Sequence, residues 1–86
     1  MRRALSVSDD DDPDFEPFLQ EALRTAYVTQ GSHALRSEDP QMAVELFTRA
    51  IEIQPTAAAY RGRAEGYDAL GKTAEADADR TESDKL

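Results

Sequence analysis

The sequence predicts an all-α chain of four helices, folded as two antiparallel helix-turn-helix hairpins. Three observations carry that prediction. Apolar residues return at three- and four-residue steps, which marks one face of a helix. Pro40, Pro55 and Gly71 interrupt the pattern at short intervals, and proline and glycine are the residues that start and stop helices. The two halves of the chain also fall into register when Ala26 is laid on Ala59: Tyr27 then meets Tyr60, Ala43 meets Ala76 and Thr48 meets Thr81. No stretch alternates with the period of a strand.

The first helix is expected to start near Pro17, because proline suits a first turn where its missing N–H costs nothing. Asp14 and Glu16 favour the positive end of the helix dipole. Its apolar stripe is Phe15, Phe18, Leu19, Ala22, Leu23, Ala26 and Tyr27, continuing weakly through Gly31, Ala34 and Leu35. The run Ser37-Glu38-Asp39-Pro40 stops it, since the residue before proline disfavours helical angles.

Asp39 reads as the N-cap of a second helix that opens on Pro40. Met42, Ala43, Leu46, Phe47, Ala50 and Ile51 form its stripe, with Ile53 near the end and Pro55 closing it. Thr56 can cap a third helix over about 57–70, with apolar members Ala57, Tyr60, Ala64, Tyr67 and Leu70. Gly71 fits the left-handed residue that follows a helix. Thr73 is then expected to cap a fourth helix over about 74–85. That helix would have an apolar edge of Ala74 and Ala78 and a polar remainder that includes Asp77, Asp79, Arg80 and Ser83. Short turns make consecutive helices antiparallel.

Composition narrows the function. The chain has 86 residues, enough for one domain. A domain of this size buries only about 60% of its unfolded surface, so the core must be small. With no cysteine and one histidine, disulfides, thiolate metal sites and multi-histidine sites are excluded. Eighteen acidic residues against ten basic ones give a net charge of -8. That charge opposes nucleic acid and anionic membranes and favours basic partners, besides keeping the chain soluble.

Residues 1–13 read as a solvated, disordered acidic arm, and 14–86 as a single domain. The arm holds Asp9 to Asp12 without the alternating ligands, glycine turn and distal glutamate of a calcium loop. Met1-Arg2-Arg3 resembles the start of a signal peptide, but Ala4-Leu5-Ser6-Val7-Ser8 is too short and polar for its core. No apolar run approaches the ~20 residues of a membrane span, so a cytoplasmic address is expected.

Catalytic motifs are lacking. His33 follows Ser32, but adjacent helical side chains point about 100° apart and do not face each other. The glycines at 31, 62, 66 and 71 are scattered and make no phosphate loop. We therefore expect no enzyme activity, no cofactor and no metal.

In ordered succession, Tyr27, Gln30-Gly31, Ala34, Ala43, Phe47, Ala50 and Pro55 resemble the tetratricopeptide repeat. Tyr60, Arg63-Ala64, Tyr67 and Ala76 resemble a second copy, with Arg80 where phenylalanine is usual. Gln30 and Ala34 are departures in the first. The repeats would span about 24–56 and 57–86, the last helix acting as a solvating cap.

The resemblance implies a concave groove, lined by the first helix of each hairpin, that takes an extended peptide or a partner helix. The groove residues would be Thr25, Val28, Ser32, Leu35 and Arg36 from one hairpin, and Arg61, Glu65, Asp68 and Ala69 from the other. Some members of the family clamp acidic chaperone tails with Lys, Asn and Arg. Here Val28, Ser32 and Glu65 stand at such positions, so a ligand with apolar anchors and some positive charge fits better.

Phe15, Phe18, Leu19 and Leu23 extend the first helix beyond the usual start of the repeat. Either this extension folds back as an N-terminal cap, or it packs on a second copy in a two-fold homodimer. The expected function is thus a protein-interaction module, the alternative a self-assembling scaffold built on that stripe.

Overall fold

A computed structural model describes residues 15–86 of the chain, with side chains from Leu19 onward. The expected acidic arm and the side chains of Phe15 and Phe18 lie outside the described residues. Four helices follow one another: α1 (Phe15–Arg36), α2 (Pro40–Ile53), α3 (Ala57–Ala69) and α4 (Thr73–Asp84). The described residues contain no strand. Helix α1 packs on α2 and α3 on α4, giving two hairpins; α3 also packs along α2 and touches α1.

Local chemistry sets most boundaries. Helix α1 is already helical at Phe15, the first described residue, and carries Pro17. The Asp39 carboxylate accepts the Met42 N–H at 3.2 Å, and the Thr56 hydroxyl accepts the Ala59 N–H at 3.3 Å. Both are side-chain caps of otherwise orphaned helix donors. Gly71 takes the left-handed conformation at φ 79°, and the Lys72 N–H after it donates to Tyr67 O at 2.8 Å. The first hairpin repeats this turn without glycine: Glu38 sits at φ 61° and the Asp39 N–H donates to Ala34 O at 2.9 Å.

The fourth helix departs from expectation. It spans Thr73–Asp84, and its N-cap is Lys72, which supplies no side-chain hydrogen bond. Thr73 is already helical, because Lys72 occupies the turn position that Asp39 holds in the first hairpin. The buried edge is Ala76, Asp79 and Ser83, whereas Ala74 and Ala78 are exposed.

The core is built around one ring. Phe47 is 1% exposed and is the only large side chain fully buried among the described residues. Ala34, Ala43, Ala50 and Ala59 surround it, with Tyr27, Val28, Leu35, Leu46 and Ile51 packed outside them. Two glycines make room for the ring. A Cβ on Gly31 would lie 2.9 Å from it, and one on Gly62 would lie 2.3 Å away. One turn further along α3, a Cβ on Gly66 would meet Val44 at 2.8 Å. The knobs Phe47 and Val44 of α2 thus enter gaps in α3 that only glycine leaves open.

A charged network fastens the second hairpin to the first. The Arg63 guanidinium donates from Nε and Nη2 to the two carboxylate oxygens of Asp79, each at 2.8 Å. Its Nη1 donates to the Thr48 hydroxyl of α2 at 3.1 Å. Its Cζ stands over the rings of both Tyr60 and Tyr67, 5.6 Å from each ring centre. The hydrogen bond to Asp79 is the largest cause of a raised Arg63 pKa, so the guanidinium stays charged throughout the physiological range. This pairing explains how Asp79, its side chain 6% exposed, lies inside while Ala78 faces solvent. A carboxylate goes inward only when a fork of donors meets it.

Stability measurements at three places check this account. Gly62→Ala improves helix propensity yet should lower stability by about 1 kcal/mol net, because displacing the enclosed ring outweighs the propensity gain. Gly62→Ala combined with Phe47→Leu should lose less than the sum of the single changes. Arg63→Ala, which strands the Asp79 charge, should cost about 3 kcal/mol in urea unfolding, and Arg63→Leu/Asp79→Leu should cost less than Arg63→Ala alone. Lys72→Asp should give α4 the cap that α2 has and raise stability by about 1 kcal/mol.

Candidate functional site

Two surfaces follow from how α1 and α3 are placed. Both helices run in the same direction, since α2 turns back between them, and each turns matched positions to one side. At about 100° per residue, Thr25, Val28, Ser32, Leu35 and Arg36 share a band about 100° wide on α1. Thr25 and Arg36 are exposed, Ser32 is half-buried, and Val28 and Leu35 are half-buried against the core cluster. On α3 the matched residues Arg61, Glu65, Asp68 and Ala69 are exposed. The structure therefore gives this face an apolar floor on α1 and a charged, open strip on α3.

Their charges are not equally free. Asp68 is bound by the Arg80 guanidinium of α4, which also reaches Asp77 at 3.5 Å. The hydrogen bond to Asp68 is the first cause of a raised pKa at Arg80, and exposed pairs of this kind contribute little energy. Arg36, Arg61 and Glu65 enter no ion pair among the described residues. Arg24, which the sequence reading did not single out, lies one turn before Val28. It stands 3.9 Å from Glu21, and its buried Nε finds no hydrogen-bond partner among the described residues.

The second surface lies elsewhere on α1. A cleft of about 360 Å³ opens between α1 and α2, lined by Gln30, His33, Ala34, Ser37, Asp39, Met42 and Leu46. On α1 the residues Leu19, Leu23, Ala26, Gln30 and His33 fall within a band about 80° wide, centred about 150° from the groove band. On α2, Met42 and Leu46 stand two residues from Val44, which places them on the side away from α3. Leu19, Leu23 and Met42 are each 44% exposed. The expected self-association residues Leu19 and Leu23 thus lie on the same band of α1 as the cleft, a feature the sequence reading missed.

His33 is exposed, and the Asp39 carboxylate is committed to the α2 N-terminus. A more charged, open cleft of about 420 Å³ runs along α2 past Val44, Glu45, Thr48, Arg49 and Glu52. No three metal-binding side chains gather among the described residues, and no described helix is long and apolar enough to cross a membrane. No family model matches the chain, and no solved structure matches it.

Proposed function

We propose that this chain is a non-catalytic protein-interaction module of the tetratricopeptide-repeat kind, binding a peptide or partner helix across α1 and α3. The observation that carries the reading is the uneven face itself. Half-buried Val28 and Leu35 offer an apolar floor, and exposed Arg36, Arg61 and Glu65 beside it have no ion-pair partner among the described residues. Apolar anchors give affinity and rim charges give orientation and on-rate. The small residues at matched positions, and the hairpins they allow, support the family resemblance. The reading includes a cytoplasmic address and needs no metal or cofactor.

A second reading, a self-assembling scaffold, draws support from a different place: the exposed Leu19 and Leu23. The two make separate demands. Peptides selected from a random display library on the immobilised chain should bind a Leu35→Ser/Arg61→Ala variant at least about tenfold more weakly. Titration should shift amide signals of α1 and α3 on that face. Unchanged affinity for the double variant would remove the groove reading.

A further inference from the structure

We infer that the end face of the first hairpin is the seat of a second copy of this chain. In the pairing, Leu19 of each copy enters the cleft between α1 and α2 of the other, and Leu23 packs beside it. The inference deepens the scaffold reading and is independent of the groove.

The internal repeat identifies the face. Helix α3 docks on α2 through Ala59, Gly62, Arg63 and Gly66, all buried or half-buried. The matched residues of α1 are Ala26, Thr29, Gln30 and His33, and all four are exposed. The first hairpin therefore presents the surface by which the second one docks, with no helix upon it among the described residues. Thr29 and His33 stand where α3 has glycines, so an incoming helix that crosses at Ala26 is held further off beyond that point. Ala34 stands where α3 has Tyr67, and that lost aromatic volume is the floor of the cleft. A docking helix must reach this floor with long apolar side chains.

Helix α4 of another copy cannot supply them. Where α2 offers Val44 and Phe47 to its neighbour, α4 carries Asp77 and Arg80, both exposed. Head-to-tail stacking would set charges on an apolar face. The long apolar side chains that stand exposed among the described residues are Leu19, Leu23, Met42 and Leu86. Three of these lie on the end face itself, so the face complements itself and the natural pairing is two-fold and closed.

Helix lengths set the register. The described part of α1 has 22 residues and α2 has 14, so α1 runs at least about 12 Å beyond its partner. This overhang, 15–22, carries Leu19. A two-fold axis at Ala26, the smallest member of the stripe, lays 15–22 of one copy along 30–37 of the other. That segment is the one whose Gln30, His33, Ala34 and Ser37 line the cleft. Leu19 then faces the second copy's cleft while the two Ala26 residues permit the helices to cross closely.

Light scattering of the chain across about 1 µM to 1 mM, with cysteine cross-linking, tests the pairing. The wild type should reach twice the 9.5 kDa chain mass. Leu19→Asp/Leu23→Asp should weaken association at least about tenfold while keeping its helical circular dichroism, since Leu19 lies on the overhang. Leu35→Ser/Arg61→Ala should leave the mass unchanged, which separates this result from the fate of the groove. The chain has no cysteine, so Ala26→Cys reports the axis directly. Its disulfide needs Cα atoms roughly 4.4–6.8 Å apart; under a mild oxidant it should form a linked dimer, and Thr25→Cys should not. A wild type that stays monomeric throughout overturns the inference, as does a dimer that survives Leu19→Asp/Leu23→Asp. Preferential linking through Thr25→Cys would overturn it even if the aspartate variant failed to fold.

Discussion

The architecture depends on one steric event, the closing of α1 and α3 around the ring of Phe47. The ring needs a bare backbone on both sides, and Gly31 and Gly62 supply it. Because α1 and α3 both approach α2 at this ring, their directions are coupled. The groove face and the end face of α1 therefore take their positions from the same contact. A small chain has few apolar side chains to spend on its core, and here a single phenylalanine joins three helices where a larger domain would use several layers.

A second constraint, electrostatic rather than steric, holds α4. This helix brings no large apolar group to the interior; its buried edge is an alanine, an aspartate and a serine. Such an edge is stable only because Arg63 meets Asp79 with two parallel donors and is itself flanked by Tyr60 and Tyr67. Polar interiors of this kind demand one geometry, since a shifted helix would leave both charges unpaired. Thr48 extends the demand to α2. The last helix is thereby positioned by direction-sensitive bonds, where the first three are positioned by shape.

This difference decides what could be read from the sequence. Helices α1 to α3 follow from spacing, caps and prolines, and Asp39, Thr56 and Gly71 act as their chemistry dictates. Helix α4 defeats the same rules. Thr73 is a better capping residue than Lys72, yet the repeat register, which lays Lys72 on Asp39, marks the boundary correctly. Likewise Ala74 and Ala78 are the apolar choice for the inner edge, but Ala76, Asp79 and Ser83 hold it. Their spacing of three and four is visible in the sequence. The partner that admits the carboxylate is not, because Arg63 lies in another helix and a lone arginine reads as surface. The cleft at Ala34 escaped notice for a related reason: a pattern records which residues are present, and the volume a small residue leaves empty appears only against the bulk of Tyr67 at the matched place.

The two hairpins thus differ most at their outer faces. The inner face of each hairpin is fixed by Phe47 and by Arg63, so a change at either lowers the stability of the fold. The outer faces are free of that constraint and have diverged: α4 turns charges and small residues outward, whereas α1 turns out Leu19, Leu23 and the cleft. Exposed apolar side chains are ordinary when scattered, but Leu19 and Leu23 stand one turn apart on one band of α1 and form a small apolar patch. A net charge of -8 opposes close approach of like copies over long distances, and salt screens that repulsion beyond about 8–10 Å. What remains at contact is set by the apolar patch, and that patch lies far from the charged strip of α3. The proposed groove and the proposed self-contact thus occupy different sides of one helix, about 150° apart, so neither would block the other.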